Sequence, residues 1–295
     1  MFKMEIKKVD ESIIKEVFQP RKRESRKYDF GLLNVVGGSY LYTGSPALNA
    51  LAALRSGVDL VRVIAPKRAA DVIASFKPDL ISYPLDCDYI SKKQVSEIVA
   101  LLLSSREVAN NKTALNIGGG LGRNPKTKEA VLEIIEKTDD VPFIIDADAI
   151  HAIAEDKKVL EGKKFILTPH AYEFYVLTGK SIFNTPLEEK AKAVLEVARE
   201  IKGVIVLKGY EDIISDGNEV FVNTTGTPFM TKGGTGDVLA GIVGALVARG
   251  CDLLKSALAG TYISGKAGEV ASSVKGESLL ATDVIDSIEK VININ

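Results

Sequence analysis

Gly233, Gly234 and Gly236 crowd into four positions ahead of Asp237, and an apolar run, VLAGIVGALVA, follows at once. Glycines lack Cβ atoms, so consecutive backbone N–H groups can close around an anion. The apolar run reads as a helix, whose N-terminus brings partial positive charge to the same place. Asp237 stands where loop becomes helix, a carboxylate beside an anion site. Amides that hold a transferring phosphoryl group, with a base to take the proton of the attacking hydroxyl, are the parts phosphoryl transfer needs. A carboxylate in a first helical turn is also favourable on its own, by roughly 0.3–1 kcal/mol. A glycine-rich loop can equally be a tight turn, so GTGD alone leaves both readings open.

Other motifs narrow the chemistry. A Walker A loop nearly occurs at Gly179-Lys180-Ser181, but Phe174 stands where its first glycine belongs. Arg123 or Pro125 breaks each register of a dinucleotide fingerprint in GGGLGRNP, and no GxSxG nucleophile elbow is present. Cys87 and Cys251 are isolated and the only histidines are His151 and His170, which excludes a multi-Cys or multi-His metal site and fits a reducing compartment. These two cysteines and His151 read as structural. The net charge of −1 argues against a nucleic-acid partner, and RKRESRK at 21–27 reads as a solvated leader. No apolar stretch nears the ~20 residues that span a bilayer and no signal peptide is visible, so no membrane partner and a cytoplasmic location are expected.

The elements that must position these residues alternate. Residues 1–29 read as a short amphipathic helix, with Ile6, Val9, Ile13, Ile14 and Val17 as its apolar positions, and a basic connector; 30–295 read as one domain. Apolar runs at 32–38, 58–66, 79–85, 113–117, 141–146, 164–168 and 203–208 read as strands separated by helical patterns. EDIISDGNEVFVN (211–223) reads as a hairpin turning at Asp216–Gly217, followed by the glycine loop, its helix and two further helices near 252–272 and 281–291. The pattern predicts an α/β fold with a central, mostly parallel sheet and helices on both faces. Ligands in such sheets bind beyond the carboxyl ends of the strands. There the unusual residues fall: Gly37–Gly38, Gly118–Gly122, Asp146, Asp148, Thr168–His170, Lys208–Gly209 and GTGD.

In that order, VVGGSYLYTGSPALNALAALRSGVDLVRV (35–63), IGGGLGR (117–123), IIDADAI (144–150), ILTPHAYEF (166–174), VIVLKG (204–209) and GGTGDVLAGIVGALVARG (233–250) form a recognisable set. The sequence resembles the NAD(P)H-hydrate dehydratase family, which has a ribokinase-like fold. GTGD marks the wider kinase superfamily; TGSPALNALAALRSG and LTPHAYEF are the specific parts. The resemblance implies a lyase of metabolite repair that restores NADH or NADPH whose nicotinamide ring has gained water at C6. The phosphoryl donor would be ADP (ATP in eukaryotic members) with Mg²⁺.

The resemblance also implies roles for residues at the strand ends. Asp237 is the catalytic base, and Gly234, Thr235 and Gly236 form the anion hole. Lys208, Gly209, Tyr210, Glu211 and Asp212, with Gly236, hold the nucleotide. Ser45, Gly120, Gly122, His170 and Asp237 contact the NAD(P)H-hydrate, and Glu173 is a candidate Mg²⁺ contact through water. Lys208 is otherwise a strand-end lysine reaching solvent, and Asp146 and Asp148 are either metal-linked or helix caps. Lys232 either adds charge to the loop or is solvated. Departures from the family pattern stand at Gly119 (usually proline), Ser45 (usually alanine), and Thr227 and Phe229 (usually an amide and a glycine). A homo-oligomer, a tetramer by family analogy, and a functional pairing with a hydrate epimerase are also implied. The rival readings are a small-molecule kinase of the same fold and a non-catalytic nucleotide sensor.

Overall fold

Seven apolar runs between Leu32 and Leu207 lie side by side as parallel strands in the computed structural model, which describes residues 4–293. The strands are β1 (Ile6–Lys8), β2 (Leu32–Val36), β3 (Leu60–Pro66), β4 (Ile81–Leu85), β5 (Thr113–Ile117), β6 (Phe143–Ile145), β7 (Phe165–Leu167), β8 (Val204–Leu207), β9 (Asp212–Ser215) and β10 (Val220–Asn223). The helices are α1 (Ser12–Val17), α2 (Gly44–Arg55), α3 (Lys67–Ala74), α4 (Lys92–Val108), α5 (Pro125–Lys137), α6 (Asp148–Ile153), α7 (Ala171–Thr178), α8 (Leu187–Ile201), α9 (Thr235–Ala248), α10 (Leu253–Lys275) and α11 (Ala281–Ile292).

Among the described residues one sheet runs in the order β1-β10-β9-β8-β7-β6-β5-β2-β3-β4. Only β9 runs against its neighbours there. The 211–223 hairpin forms as expected. The N-terminal helix does not extend over its expected length: Ile6–Lys8 pair in parallel with Val220–Val222 as a strand, and only Ser12–Val17 are helical. Ile13, Ile14 and Val17 still bury their apolar stripe, so the spacing marked a packed face while the backbone at Ile6 was decided by a distant partner.

Alternation within the strands feeds two helical layers. Leu33, Val35, Val61, Val63, Ile144 and Ile166 face a core shared with α2, α9, α10 and α11; Val36, Ile64, Phe143, Ile145, Phe165 and Leu167 face one shared with α4, α5 and α6. Helix α9 is buried from Val238 to Ala248, which matches its apolar character all round. Two glycine contacts fix its place. A Cβ on Gly241 would collide with the Asn49 carbonyl of α2, and one on Gly260 of α10 with Val243.

Strand order reverses between β2 and β5, since the chain leaves β2 towards β3 and β4 and returns on its other side. The turns after these two strands meet: the Gly38 N–H donates to the Gly119 carbonyl at 2.8 Å, and a Cβ on Gly37 would sit 2.5 Å from that oxygen. A crevice at the carboxyl ends of the strands opens at such a reversal.

Candidate active site

Asp237 is the third residue of α9, whose N-cap Gly234 takes φ 97°, a left-handed conformation glycine adopts without strain. Space enforces the same choice, since a Cβ there would lie 2.5 Å from Leu48 Cδ1. The first N–H groups of a helix have no intrahelical acceptor, so the Gly234–Gly236 turn offers amides and a dipole end. The Thr235 hydroxyl has the Met230 and Lys232 carbonyls as alternative acceptors at 2.9 and 3.0 Å, bracing the loop from within. Lys232 reaches the Glu277 carbonyl at 2.7 Å, away from that turn.

The Asp237 carboxylate accepts a hydrogen bond from the Ser45 hydroxyl at the start of α2. Burial raises its pKa to about 7; the Ser45 bond and Lys208 oppose that rise, while Asp146 and Asp148 add to it. A group titrating there is poised to take a proton near neutrality.

Behind Asp237 lies a charged chain built from three neighbouring strand ends. Asp146 Oδ1, after β6, accepts from Thr168 Oγ1, after β7, at 2.6 Å and from Lys208 Nζ, after β8, at 2.7 Å. Glu173 Oε2 lies 3.9 Å from the same ammonium and accepts the His170 N–H at 2.8 Å. His170 caps α7 in return, its Nδ1 accepting from the Tyr172 and Glu173 amides at 3.2 Å each. Burial pushes Glu173 above the usual carboxylate range against the pull of Lys208. Burial would lower the Lys208 pKa, but Asp146, Glu173 and Asp237 carry it upward. The ammonium therefore stays charged. Ala147, between the two aspartates, holds φ 49°, a strained value for a residue with a side chain.

Asp148 accepts from the Gly122 N–H at 2.9 Å and from Arg123 Nε at 3.0 Å, so it braces the glycine loop. A Cβ on Gly120 would lie 3.0 Å from that of Tyr42 and 3.4 Å from that of Ser45, whereas one on Gly122 would meet nothing within 4 Å. Ser45, Gly120 and Asp237 are thus together, and His170 joins them through Glu173 and Lys208. His151 is buried, and burial lowers its pKa; burial raises that of Cys87 to about 11. Both remain neutral.

On the other side of the α9 N-terminus is a cavity of about 590 Å³. Lys208, Gly209, Tyr210, Glu211, Asp212 and Gly236, six residues expected to meet a nucleotide, all line it. Its far walls come from the strap 224–231, which holds the family departures Thr227 and Phe229, and from α10; Thr261, Ser264 and Gly265 of that helix were not singled out for chemistry by the sequence. Thr227 lines the cavity and caps a 3-10 turn at Pro228–Met230, while Phe229 packs on the core. Burial raises Asp212 to about 6, opposed by hydrogen bonds from Asn223 and the Gly209 amide.

Metal binding by side chains alone does not fit this site. Among the described residues no three His, Cys, Asp or Glu side chains gather to hold an ion. Glu173 is nearly buried, with its oxygens turned to His170 and Lys208.

A family model described as NAD(P)H-hydrate dehydratase matches residues 33–290. A relative from Cenarchaeum symbiosum named ADP-dependent (S)-NAD(P)H-hydrate dehydratase is 35% identical over 289 residues, 98% of both chains. One from Pyrobaculum aerophilum named bifunctional NAD(P)H-hydrate repair enzyme is 40% identical over 92% of this chain and 52% of its own length. The chain therefore spans about half the length of several curated relatives it matches. The fold is shared with the Bacillus subtilis ADP/ATP-dependent NAD(P)H-hydrate dehydratase co-crystallised with ATP/Mg²⁺ (TM-score 0.79, 24% identity, 98% of each chain). It is also shared with Arabidopsis thaliana ribokinase (TM-score 0.56, 13% identity, 90% of this chain and 99% of that one). With a ribokinase-like sheet, and a match running from β2 to the last helix, the chain belongs to the NAD(P)H-hydrate dehydratase family.

Proposed function

We propose that the protein is an ADP-dependent (S)-NAD(P)H-hydrate dehydratase whose catalytic unit is residues 30–295. The observation that carries this reading is the placement of Asp237, at a helix N-terminus between the glycine turns of β2 and β5 and the cavity lined by Lys208–Asp212. Asp237 takes the proton of the hydroxyl at C6 of the hydrated nicotinamide ring. The oxygen attacks the terminal phosphorus of ADP, forming C–O–P and releasing AMP. The C6–O bond then breaks, inorganic phosphate leaves with the electron pair, and loss of the C5 proton restores the ring double bond. No hydride moves; the reduced cofactor is the product.

The amides of the Gly234–Gly236 turn, Thr235 included, receive the transferring phosphoryl group, and Lys208 supplies a fixed positive charge beside it. The cavity from Lys208 to Asp212 takes the nucleotide, and Ser45, Gly120, Gly122 and His170 face the hydrate. Mg²⁺ belongs to this reading as a companion of the nucleotide phosphates, with Glu173 contacting it through water. A homotetramer, an epimerase acting on the other hydrate epimer and a cytoplasmic location follow by analogy with the family.

The test mixes chemically hydrated NADH or NADPH with ADP or ATP and Mg²⁺ and follows the absorbance of reduced nicotinamide. Recovery that requires a nucleotide and is lost in Asp237→Asn supports the reading. No recovery with either nucleotide, or accumulation of a phosphorylated small alcohol instead, sinks it.

A further inference from the structure

We infer that the Ser45 hydroxyl is the positioning group for Asp237, holding one carboxylate oxygen so that the other meets substrate, and that Gly119 is glycine to leave it room. This rests on the reading of Asp237 as the base. The hydroxyl donates to Asp237 Oδ1, since an ionised carboxylate only accepts. With Oδ1 engaged, Oδ2 is the oxygen left for an incoming hydroxyl, and the side chain loses the rotamer freedom that would blur its aim.

Both partners are fixed by backbone. Pro46 packs on the Gly37–Gly38 turn and anchors the first turn of α2. Ser45 meets Asp237, and four residues further on the Asn49 carbonyl meets Gly241 at the same offset of 192 residues. Helices α2 and α9 therefore run parallel and in register, with their N-termini level. The contact belongs to the helix pair.

Gly119 supplies the independent observation. Gly118 and Gly120 have φ of 140° and 70°, but Gly119 is not among the residues of positive φ. What demands glycine there is space: a Cβ would collide with Ser45 Oγ and lie 2.9 Å from Asp237 Oδ1. A hydroxyl at 45 and a side chain at 119 exclude one another.

The groups facing Asp237 are Ser45 from α2, Asp146 from the end of β6, Asp148 from α6 and Lys208 from the end of β8. Removing the Ser45 donor leaves burial and two carboxylates against Lys208 alone. The experiment compares the full chain with Ser45→Ala, Gly119→Ala and the double variant. It measures kcat, KM for ADP, the pH profile, thermal stability and the ¹³C carboxyl titration of Asp237 by NMR without substrate.

Ser45→Ala is expected to lower kcat about 10- to 100-fold near neutral pH and to leave KM for ADP within about twofold. The acid limb and the NMR midpoint move to higher pH. Gly119→Ala, which displaces the hydroxyl, is expected to lose comparable activity and to cost less in the Ser45→Ala background than alone, since only the 2.9 Å approach to Asp237 Oδ1 remains there, a non-additivity that marks the shared contact. Unchanged kcat, pH profile and NMR midpoint in folded Ser45→Ala would overturn the inference, as would additive losses in the double variant. Absence of hydrate turnover in the wild type would instead remove the proposed function, and the NMR titration would still decide whether Ser45 holds Asp237.

Discussion

Lys208 Nζ lies 2.7 Å from Asp146 Oδ1, joining the end of β8 to the end of β6 across the intervening strand. Both side chains are largely buried, at 18% and 5% exposed. Breaking such a pair strands a charge, which typically costs about 3–5 kcal/mol. Lys208→Met is expected to lose stability on that scale in urea unfolding and to weaken nucleotide binding. Adding Asp146→Asn should recover much of the stability and none of the binding. Nucleotide titration of both variants checks the separation of the two roles.

The raised pKa of Asp237 gives the pH dependence of the proposed activity a definite sign. A base with pKa about 7 is increasingly ionised as pH rises through that value, so kcat/KM should climb through an acid limb near 7. Stability runs the other way. The folded pKa is raised from 3.8, so the contribution of this group is fully present below the unfolded value and is lost as pH rises towards 7. Asp237→Asn should therefore be more stable than the wild type at pH 8, by roughly 2 kcal/mol once partial exposure is discounted. The advantage should vanish near pH 4. Thermal melts of both proteins across that range give the answer, and an advantage over the wild type no larger at pH 8 than at pH 4 contradicts it.

His170 holds the N-terminus of α7 with a ring nitrogen while half its side chain is exposed. His170→Ala should cost about 1 kcal/mol for the lost cap and raise KM for the hydrate. Asparagine, a strong N-cap residue, should restore the stability and leave KM raised. If His170→Asn restores both, the imidazole has no contact with substrate.

Gly241 and Gly44 are both helical and should respond oppositely to alanine. At 241 the new methyl meets the Asn49 carbonyl and lies 3.0 Å from Ala52 Cβ, forcing α2 and α9 apart at a cost of about 1–3 kcal/mol. At 44 it meets nothing within 4 Å and gains helix propensity, up to about 1 kcal/mol. Chemical denaturation of the two variants reads the difference directly.

The glycine nest, Asp237 and the Lys208 strand end were legible because each feature is local: spacing of glycines, a polar residue at the end of an apolar run. The alternation that gives the parallel sheet is local too. What escaped depends on neighbours fixed by topology. Thr168 stands out as a strand-end residue, but its partner emerges only when β6 and β7 pair and put it 2.6 Å from Asp146. Thr261, Ser264 and Gly265 read as small residues of a packed helix, and only the strap 224–231 crossing them makes a cavity wall. Ile6 fits a helical stripe by spacing, but its backbone pairs with Val220. Gly119 read as a departure from a family pattern, whereas its neighbours show it to be half of a pair with Ser45.

The pairing of Ile6–Lys8 with Val220–Val222 also sets an order of events during synthesis. Ile6–Lys8 have no partner until more than two hundred further residues have been made, and α9, which carries Asp237, follows that partner in the chain. Pairing between distant segments is slow and leaves strand edges open while it waits. The exposed Lys7 and Lys8 give the unpaired strand charges that discourage association with other nascent chains. A polypeptide released before residue 220 would carry the segments of β2–β8 yet lack β10, helix α9 and the cavity walls that follow them.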